Sequence, residues 1–570
     1  MLPPLVKNLA LVLALASTGV HAQDVLPDFD SPPPANLPAQ ELSGAVLFEA
    51  VLAELAALRR DLPTATAIYL DLARKTRDPR YSRRATELAL VARDFKSAGD
   101  GARLWLAQEP GNIDAARILA GVVASSRGRI EELESALVRV LAGDSAKRGA
   151  LLVELPSVYA GFTDKAAALA SVERLTAPYL NTPEAQFARA SAYADAKRND
   201  AAGAAAGEAL KLKPDFEQAA ILRAQAAPSV RRAAAMEQLG EFGKQYPQAR
   251  EARMSYGRWL VSERRNQEAA EVYRKLLADF PDNREFAFAV ALLSAEVGDN
   301  ATAEAQLRRL IAEGYRPDLL HLQLGRLLAS TNRDDAAVIE LSQVGVGEHY
   351  AAARMGLAQI EVKRGRMDAA RALLRAASEQ DTGNFENYLL AEAQLLRQSQ
   401  RDADSLKVLD ELLARRPDNQ DALYESALTS DRLQKYDVME SRLRRLIVLR
   451  PDGAHAYNAL GYSFADRNVR LDEAEKLIAQ ALKLQPEDPA ILDSMGWVKY
   501  RRGDFKGALD YLQRAHAINQ DAEITAHLGE VLWALGRRDE ARKTWQNSLK
   551  DNPESTVLRT TMLRLTGEKP

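Results

Sequence analysis

Cysteine is absent from the 570 residues of this chain, and an excess of charge of either sign is nearly absent too. Without cysteine there is no disulfide bond, no thiol nucleophile, no cysteine-ligated zinc or iron–sulfur cluster, and no lipid attached through an N-terminal cysteine. The 76 Lys and Arg residues offset the 79 Asp and Glu residues and leave a net charge of −3. So balanced a chain is not expected to coat nucleic acid or an anionic membrane, and a partner must be recognised by shape or by local patches.

Aromatic residues are scarce, at 6% of the chain, although 47% of the residues are hydrophobic. The hydrophobic excess consists of alanine and leucine, which favour closely packed helices over strands built from β-branched and aromatic residues. The composition therefore predicts an all-α chain.

Long apolar runs are also lacking, and the one run near the N-terminus is short. The segment Met1–Ala22 contains Lys7, an apolar run at Leu9–Ala16, and small residues at Val20 and Ala22. This pattern resembles a secretory signal peptide that is cleaved before Gln23, and the run is too short to span a bilayer. We therefore predict an exported, periplasmic protein without a membrane span. It would be unlipidated and at most peripheral to the outer membrane.

The segment after the leader is rich in proline, which opposes helix because its φ is fixed and its N–H is missing. Ordered structure is expected to begin near Glu41. The prolines of this extended tether are Pro27, Pro32, Pro33, Pro34 and Pro38.

Small residues recur along the rest of the chain at a nearly constant interval. Ala474, Ala508 and Ala541 mark three successive repeats, with a glycine such as Gly496 twelve positions before a reference alanine and a large residue such as Leu512 four positions after it. The same interval, about 33 to 35 positions, continues toward the N-terminus and defines fifteen units, with weaker registration at 133, 168 and 235. The remaining reference residues are Ala65, Ala98, Leu133, Ala168, Ala202, Ala235, Ala269, Ala303, Ala337, Ala370, Ser405 and Met439.

Each unit is predicted to form a hairpin of two helices that cross closely. In one unit Tyr457, Leu460, Gly461 and Phe464 share a helical stripe, and a small residue at the crossing lets the second helix approach. A single hairpin cannot bury its own apolar faces, so the units are expected to stack as a quasi-one-dimensional solenoid.

These features resemble the tetratricopeptide-repeat family. The resemblance rests on Leu460-Gly461, Met495-Gly496 and Leu528-Gly529 in first helices and on the turn Gly503-Asp504-Phe505. It implies a right-handed α-solenoid of about 15 units whose inner, concave face is lined by the first helices and binds proteins. The sequence thus divides into a signal peptide (1–22), a tether (23–42), a solenoid (43–560) and a C-terminal tail (561–570).

No constellation of residues indicates catalysis or metal binding. The mature chain has five histidines, none of them in a His-Glu-x-x-His pair, and no pair of titratable residues can be placed in one pocket. We therefore predict no enzyme activity, no metal and no cofactor. The histidines are His321, His349, His455, His516 and His527.

The first helices of the last units carry an unusual set of aromatic and charged residues on the expected inner face. Such residues are enriched in protein-binding hot spots, although the rings could instead wedge between repeats as core. Two arginines after Gly257 and Gly325 would make the middle of the groove more basic, or would be ordinary solvated charges. The candidate partner-binding residues are Asn458, Tyr462, Asp493, Trp497, Tyr500, Arg501, Trp533, Arg258 and Arg326.

Two functions fit an exported solenoid of this kind. Residues 456–467 and 491–505 resemble the C-terminal repeats of proteobacterial lipoprotein adaptors that bring peptidoglycan hydrolases to a carboxyl-terminal processing protease. This chain departs from them in lacking a cysteine to carry lipid. The alternative is a periplasmic scaffold for exopolysaccharide or outer-membrane assembly.

Overall fold

The computed structural model describes residues 43–125, 130–142 and 145–567. Across those ranges the regular secondary structure is helical, with 31 α-helices, two short 3₁₀ helices and no strand. The all-α prediction is therefore confirmed. The predicted signal peptide and tether lie outside the described residues.

The helices follow one another with short connections and are numbered here in chain order. The first sixteen are α1 Gly44–Leu58, α2 Leu62–Thr76, α3 Pro79–Val91, α4 Phe95–Gln108, α5 Ile113–Ser125, α6 Ile130–Ala142, α7 Ser145–Tyr159, α8 Lys165–Thr176, α9 Pro183–Asp195, α10 Asn199–Leu212, α11 Glu217–Gln225, α12 Ser229–Gln245, α13 Arg250–Ser262, α14 Asn266–Asp279, α15 Arg284–Glu296 and α16 Asn300–Ala312. The others are α17 Pro317–Ser330, α18 Asp334–Ser342, α19 Tyr350–Lys363, α20 Met367–Gln380, α21 Phe385–Gln398, α22 Asp402–Arg415, α23 Gln420–Arg432, α24 Tyr436–Leu449, α25 Ala454–Asp466, α26 Leu471–Leu484, α27 Pro489–Arg501, α28 Phe505–Ile518, α29 Ala522–Ala534, α30 Arg538–Asp551 and α31 Thr556–Thr566.

The helices form fifteen hairpins followed by one terminal helix. The first helix of each hairpin, called the A helix, has an odd number, and the second, the B helix, has an even number. All fifteen reference residues of the sequence repeat lie on B helices. Fourteen are buried, and Ala235 is half-buried because Met236 occupies the buried position beside it. The repeat register is therefore confirmed, with a shift of one position at a site where the sequence signal was weak.

Close crossing of the two helices is visible in the space around the A-helix glycines. A Cβ added to Gly461 would lie 2.7 Å from Cγ1 of Ile478, and one added to Gly496 would lie 2.6 Å from Cγ of Leu512. Ile478 and Leu512 are fully buried. The large residue four positions after the reference alanine therefore packs on the glycine of its own hairpin, as the repeat spacing predicted.

The turn Gly503-Asp504-Phe505 also has the structure that its sequence suggests. Gly503 has φ +83°, a left-handed conformation that costs glycine little. Asp504 then caps α28, because its carboxylate accepts a hydrogen bond from the N–H of Gly507 at 2.9 Å. The glycine ends the A helix and the aspartate begins the B helix.

The predicted boundary between solenoid and tail at residue 561 is wrong, since α31 runs through it. Ser555 caps this helix, and Leu558 and Met562 are buried against α29 and α30. The helix follows Ala541, the last reference residue, so the fixed repeat interval did not reveal it.

The chain divides into two compact units, up to Leu310 and from Ile311 onward. No helix within the described ranges combines the length and the apolar composition needed to cross a bilayer.

Candidate protein-binding site

The A helices at the end of the second compact unit lie side by side. Helix α25 contacts α27, α27 contacts α29, and α29 contacts α31. These four helices are called the C-terminal A-helix row. Seven of the nine candidate residues lie on them, while Arg258 and Arg326 lie on α13 and α17.

Trp497 is buried between neighbouring A helices rather than presented to a partner. Its exposed fraction is 4%, and its ring stacks on His527 of α29 with centroids 4.1 Å apart and on Tyr500 with centroids 5.0 Å apart. The prediction that this ring forms exposed binding surface is corrected, because the next A helix covers it. Trp497 is inter-repeat core.

Asp493 is buried for a related reason, since it pairs with His527. The Nδ1 atom of His527 lies 3.0 Å from both carboxylate oxygens of Asp493. Burial by itself would lower the pKa of His527, but the Asp493 carboxylate, with Glu523 and Glu530 on the same helix as the histidine, outweighs burial and raises that pKa. Asp493 therefore links α27 to α29 and, like Trp497, is not exposed binding surface.

Two half-exposed tyrosines are held in place by glutamates of α29. Tyr462 on α25 donates to Oε1 of Glu523 at 2.8 Å, and Tyr500 on α27 donates to Oε1 of Glu530 at 3.0 Å. Arg564 of α31 also donates to Glu530, at 2.5 Å. Burial together with Glu530 raises the pKa of Tyr500 to about 12, so its hydroxyl remains a donor at neutral pH. The phenol rings are therefore fixed while part of each ring remains exposed.

Arg501 and Asn458 are half-buried polar residues of the row. Arg501 donates from Nη2 to the backbone oxygen of Asp466 at 2.8 Å, and its guanidinium lies 4.7 Å from the centre of the Trp497 ring. Within the described residues, Nε of Arg501 and Oδ1 of Asn458 have no hydrogen-bond partner. Because buried polar atoms are usually paired, these two atoms retain bonding capacity that a bound chain could use after a small side-chain rotation.

Trp533 lies close to the second helix of its own hairpin. Its ring centroid lies 6.1 Å from that of Trp545 on α30, and Arg538 and Arg542 of α30 lie over the ring at 5.2 and 5.4 Å. The ring is half-exposed, and Trp533 lies one repeat interval after Tyr500, at the equivalent position of the next A helix.

The two arginines of the middle repeats are not part of this row. Arg258 belongs to the first compact unit and donates from Nη2 to Ser255 on its own helix at 3.2 Å. Arg326 lies four hairpins before α25, and burial lowers its pKa from the ordinary value. Neither arginine lies on one of the four helices of the row.

Sequence reasoning missed three of the residues that hold the row together, namely Glu523, His527 and Arg564. His527 was considered only as a metal ligand. A usable signal was present, because Asp493 and His527 are separated by one repeat interval. Complementary side chains at that interval lie on neighbouring A helices and can pair.

No metal site accompanies these groups. The described ranges contain no cluster of three or more His, Asp or Glu residues arranged to hold a metal ion. The absence of a cofactor and of enzyme activity stays a prediction.

Comparison with known proteins identifies the repeat. Family models described as tetratricopeptide repeat match residues 500–563 in one case and residues 223–284, 341–385 and 431–489 in another. The TPR repeat-containing protein PA4667 of Pseudomonas aeruginosa is 35% identical over 532 residues, which cover 91% of this chain and 88% of that protein.

Solved structures that resemble the chain include two of low sequence identity. Yeast Tom70 is 12% identical, with 92% of this chain and 95% of that chain covered and a TM-score of 0.35. A tetratricopeptide repeat protein from Parabacteroides merdae is 17% identical, with 50% and 99% covered and a TM-score of 0.35. The extent and identity of the match to the Pseudomonas protein, together with the repeat models, establish that this chain belongs to the tetratricopeptide-repeat family.

Proposed function

We propose that this protein is a non-enzymatic adaptor of the bacterial cell envelope that binds proteins on its C-terminal A-helix row and brings peptidoglycan hydrolases to a carboxyl-terminal processing protease. The observation that carries the proposal is that Tyr462, Tyr500 and Arg501 are partly exposed and held in fixed positions. Each is half-exposed, and each is fixed by a hydrogen bond to another A helix or its end. Aromatic and arginine side chains that are fixed before binding lose little entropy on binding.

The buried layer beneath these side chains supports the same role. Trp497, His527 and Asp493 connect α27 to α29 through ring stacking and a hydrogen-bonded ion pair. This layer holds the spacing of the A helices constant, so that Tyr462, Tyr500 and Arg501 keep one arrangement. A rigid surface of this kind suits recognition of a particular protein.

The choice of partners rests on the sequence of the same units. Residues 456–467 and 491–505 resemble the repeats of adaptors for a carboxyl-terminal processing protease, and they cover most of α25 and α27. Export is inferred from Lys7, the apolar run Leu9–Ala16 and the small residues before Gln23. Protease and hydrolases would meet the adaptor in the periplasm.

Affinity capture from cell-envelope extract tests this function. The protein and its Asn458→Ala/Arg501→Ala variant are used as bait, and captured proteins are quantified by mass spectrometry. We expect a protease of the carboxyl-terminal processing class and cell-wall hydrolases with the unaltered bait. We expect the double variant to reduce their recovery by about tenfold, equivalent to about 1.4 kcal/mol.

The matched control is Arg514→Ala/Asn519→Ala, which removes the same residue types from exposed positions on α28 and at its end. Its recovery of partners should equal that of the unaltered protein. Capture of a polysaccharide synthase or outer-membrane assembly proteins instead of a protease would favour the assembly scaffold and contradict the adaptor proposal.

A further inference from the structure

Helix α1 exposes a continuous apolar face at the N-terminal end of the described chain. Its exposed large side chains are between 43% and 78% accessible, whereas no other helix in the described ranges carries more than two exposed large apolar residues. They recur at intervals of three and four positions, which places them along one side of the helix. The six residues are Leu47, Phe48, Val51, Leu52, Leu55 and Leu58.

Part of the equivalent face of the next A helix is covered, whereas Arg80 and Val91, one repeat interval after Leu47 and Leu58, are exposed. One repeat interval after Leu52 and Leu55 come Ala85 and Leu88 on α3, and their exposed fractions are 0% and 6%. Ala85 and Leu88 share a core cluster with Leu70 and other residues of α2, the preceding B helix. No preceding B helix covers α1 in the part of the chain that the structure describes. Its face is therefore a stacking surface without its partner.

The acidic residues of α1 do not interrupt this face, because both turn toward the rest of the chain. Glu49 pairs with Lys75 of α2 at 3.0 Å. Glu54 accepts from Arg84 of α3 at 3.0 Å and from Tyr69 of α2 at 2.6 Å. With no other charged residue on α1, two copies of the face can approach without like-charge repulsion.

We propose that the occupant of this face is α1 of a second copy of the chain, so that the protein forms a two-fold dimer through its N-terminal helices. A two-fold pair is isologous, and a helix with one uncharged apolar stripe is complementary to itself. The exposed fractions correspond to roughly 600 Å² of apolar surface per copy, so a pair that covered all of it would bury at most about 1,200 Å², the lower limit for a specific interface. The inference goes beyond partner binding on the C-terminal A-helix row.

The other end of the described chain is a poorer occupant. Helix α31 exposes Val557 and Leu563 but also carries Arg559 and Arg564. Pairing α1 with α31 of another copy would be heterologous and would build open chains rather than a closed dimer. Self-pairing of α1 buries more apolar surface and closes after two copies.

The absence of native cysteine makes the test direct. In the protein purified from cells, Val51→Cys places one thiol near the middle of α1, and a short bismaleimide can then join two copies. We expect a covalent dimer from Val51→Cys. We expect none from Ile339→Cys, a control at an exposed position on α18.

Sedimentation equilibrium over about 1–100 µM measures the association itself, in the concentration range expected for a minimal interface. We expect the unaltered protein to dimerise. Phe48→Glu/Leu58→Glu should weaken the dimer at least about tenfold, while circular dichroism and the melting temperature stay unchanged because both side chains are mostly exposed.

Three results would overturn the proposal. They are a monomer at every concentration, a dimer that Phe48→Glu/Leu58→Glu leaves intact, and a monomer that instead binds vesicles of phosphatidylethanolamine and phosphatidylglycerol through α1. None of these results bears on partner capture by the C-terminal A-helix row, so the two proposals fail independently.

Discussion

Trp497 shows how one aromatic side chain can stabilise the stacking of two repeats. Its ring lies between His527 of the next hairpin and Tyr500 of its own helix. Replacing it with alanine should therefore destabilise the last hairpins by about 3 kcal/mol, the usual cost of removing a buried ring of this size. Hydrogen exchange of residues 489–534 and the melting temperature would measure the loss.

The matched variant is Trp533→Ala, at a ring that is half-exposed. It should lose less stability than Trp497→Ala. Unchanged exchange and melting in Trp497→Ala would show that the ring does not hold the helices together.

The pair of His527 and Asp493 predicts a pH dependence of stability. The pKa of His527 is raised in the folded protein, so the stabilising charge is complete below the unfolded value of about 6.5 and is lost as the pH rises through the folded value. We expect the C-terminal hairpins to melt at a lower temperature as the pH is raised from about 6 to about 8.5. Thermal unfolding across this range would check the direction.

His527→Gln is the control, since glutamine keeps a hydrogen-bond donor but cannot become charged. The unaltered protein should be more stable than this variant below about pH 6.5, and the difference should shrink above it. A constant difference across the range would mean that His527 does not change its charge with folding.

At the scale of helices, the A-helix glycines set the distance at which each hairpin closes. Alanine favours helix by about 1 kcal/mol over glycine, so helix propensity alone predicts that Gly496→Ala stabilises the protein. The added Cβ would lie 2.6 Å from Leu512 and 3.2 Å from the backbone oxygen of Ala508. We expect this overlap to dominate and lower stability by about 1–3 kcal/mol, measured by thermal unfolding.

Gly207 provides the comparison, because it lies within α10 and an added Cβ would meet nothing within 4 Å. Gly207→Ala should be neutral or stabilising. If both substitutions stabilise the protein, the close helix crossing does not restrict the size of the side chain at position 496.

The hairpins could be predicted from the sequence because the same packing constraint recurs in every unit. A small residue such as Ala508 must face the A helix at each crossing, and that requirement marks the chain at a regular interval. Helix α31 escaped prediction because it belongs to no complete hairpin. It lies after Ala541, the last reference residue, and its buried residues Leu558 and Met562 pack on α29 and α30.

The position of the candidate site could be predicted from the sequence. Which of its side chains are exposed and which are buried could not. The offset from Gly496 places Trp497 on the stripe away from its own B helix, and this is where it lies. Its burial depends on His527, which belongs to the following hairpin and covers the ring from the next A helix. Tyr462 likewise reaches Glu523 across an intervening hairpin. Contacts between different hairpins depend on the distance between neighbouring A helices. The sequence of a single repeat does not determine that distance.

For the whole molecule, the two ends of the described chain differ in how well their apolar surface is covered. The C-terminal end is closed by α31, whose Arg564 pairs with Glu530 and whose buried residues cover α29 and α30. The N-terminal end presents the uncharged apolar face of α1. In a repeat protein an exposed end of this kind requires a cap, and the proposed second copy supplies it.

The measurement that tests the central claim most directly is site-specific photo-crosslinking in living cells. A benzophenone amino acid is placed at Arg501 on the C-terminal A-helix row or at the exposed Arg514 on α28. If the row binds the protein partner, irradiation should produce a covalent adduct with another protein from position 501 and none from position 514. Adducts of equal yield from both positions, or from 514 alone, would contradict the assignment of the row as the binding site.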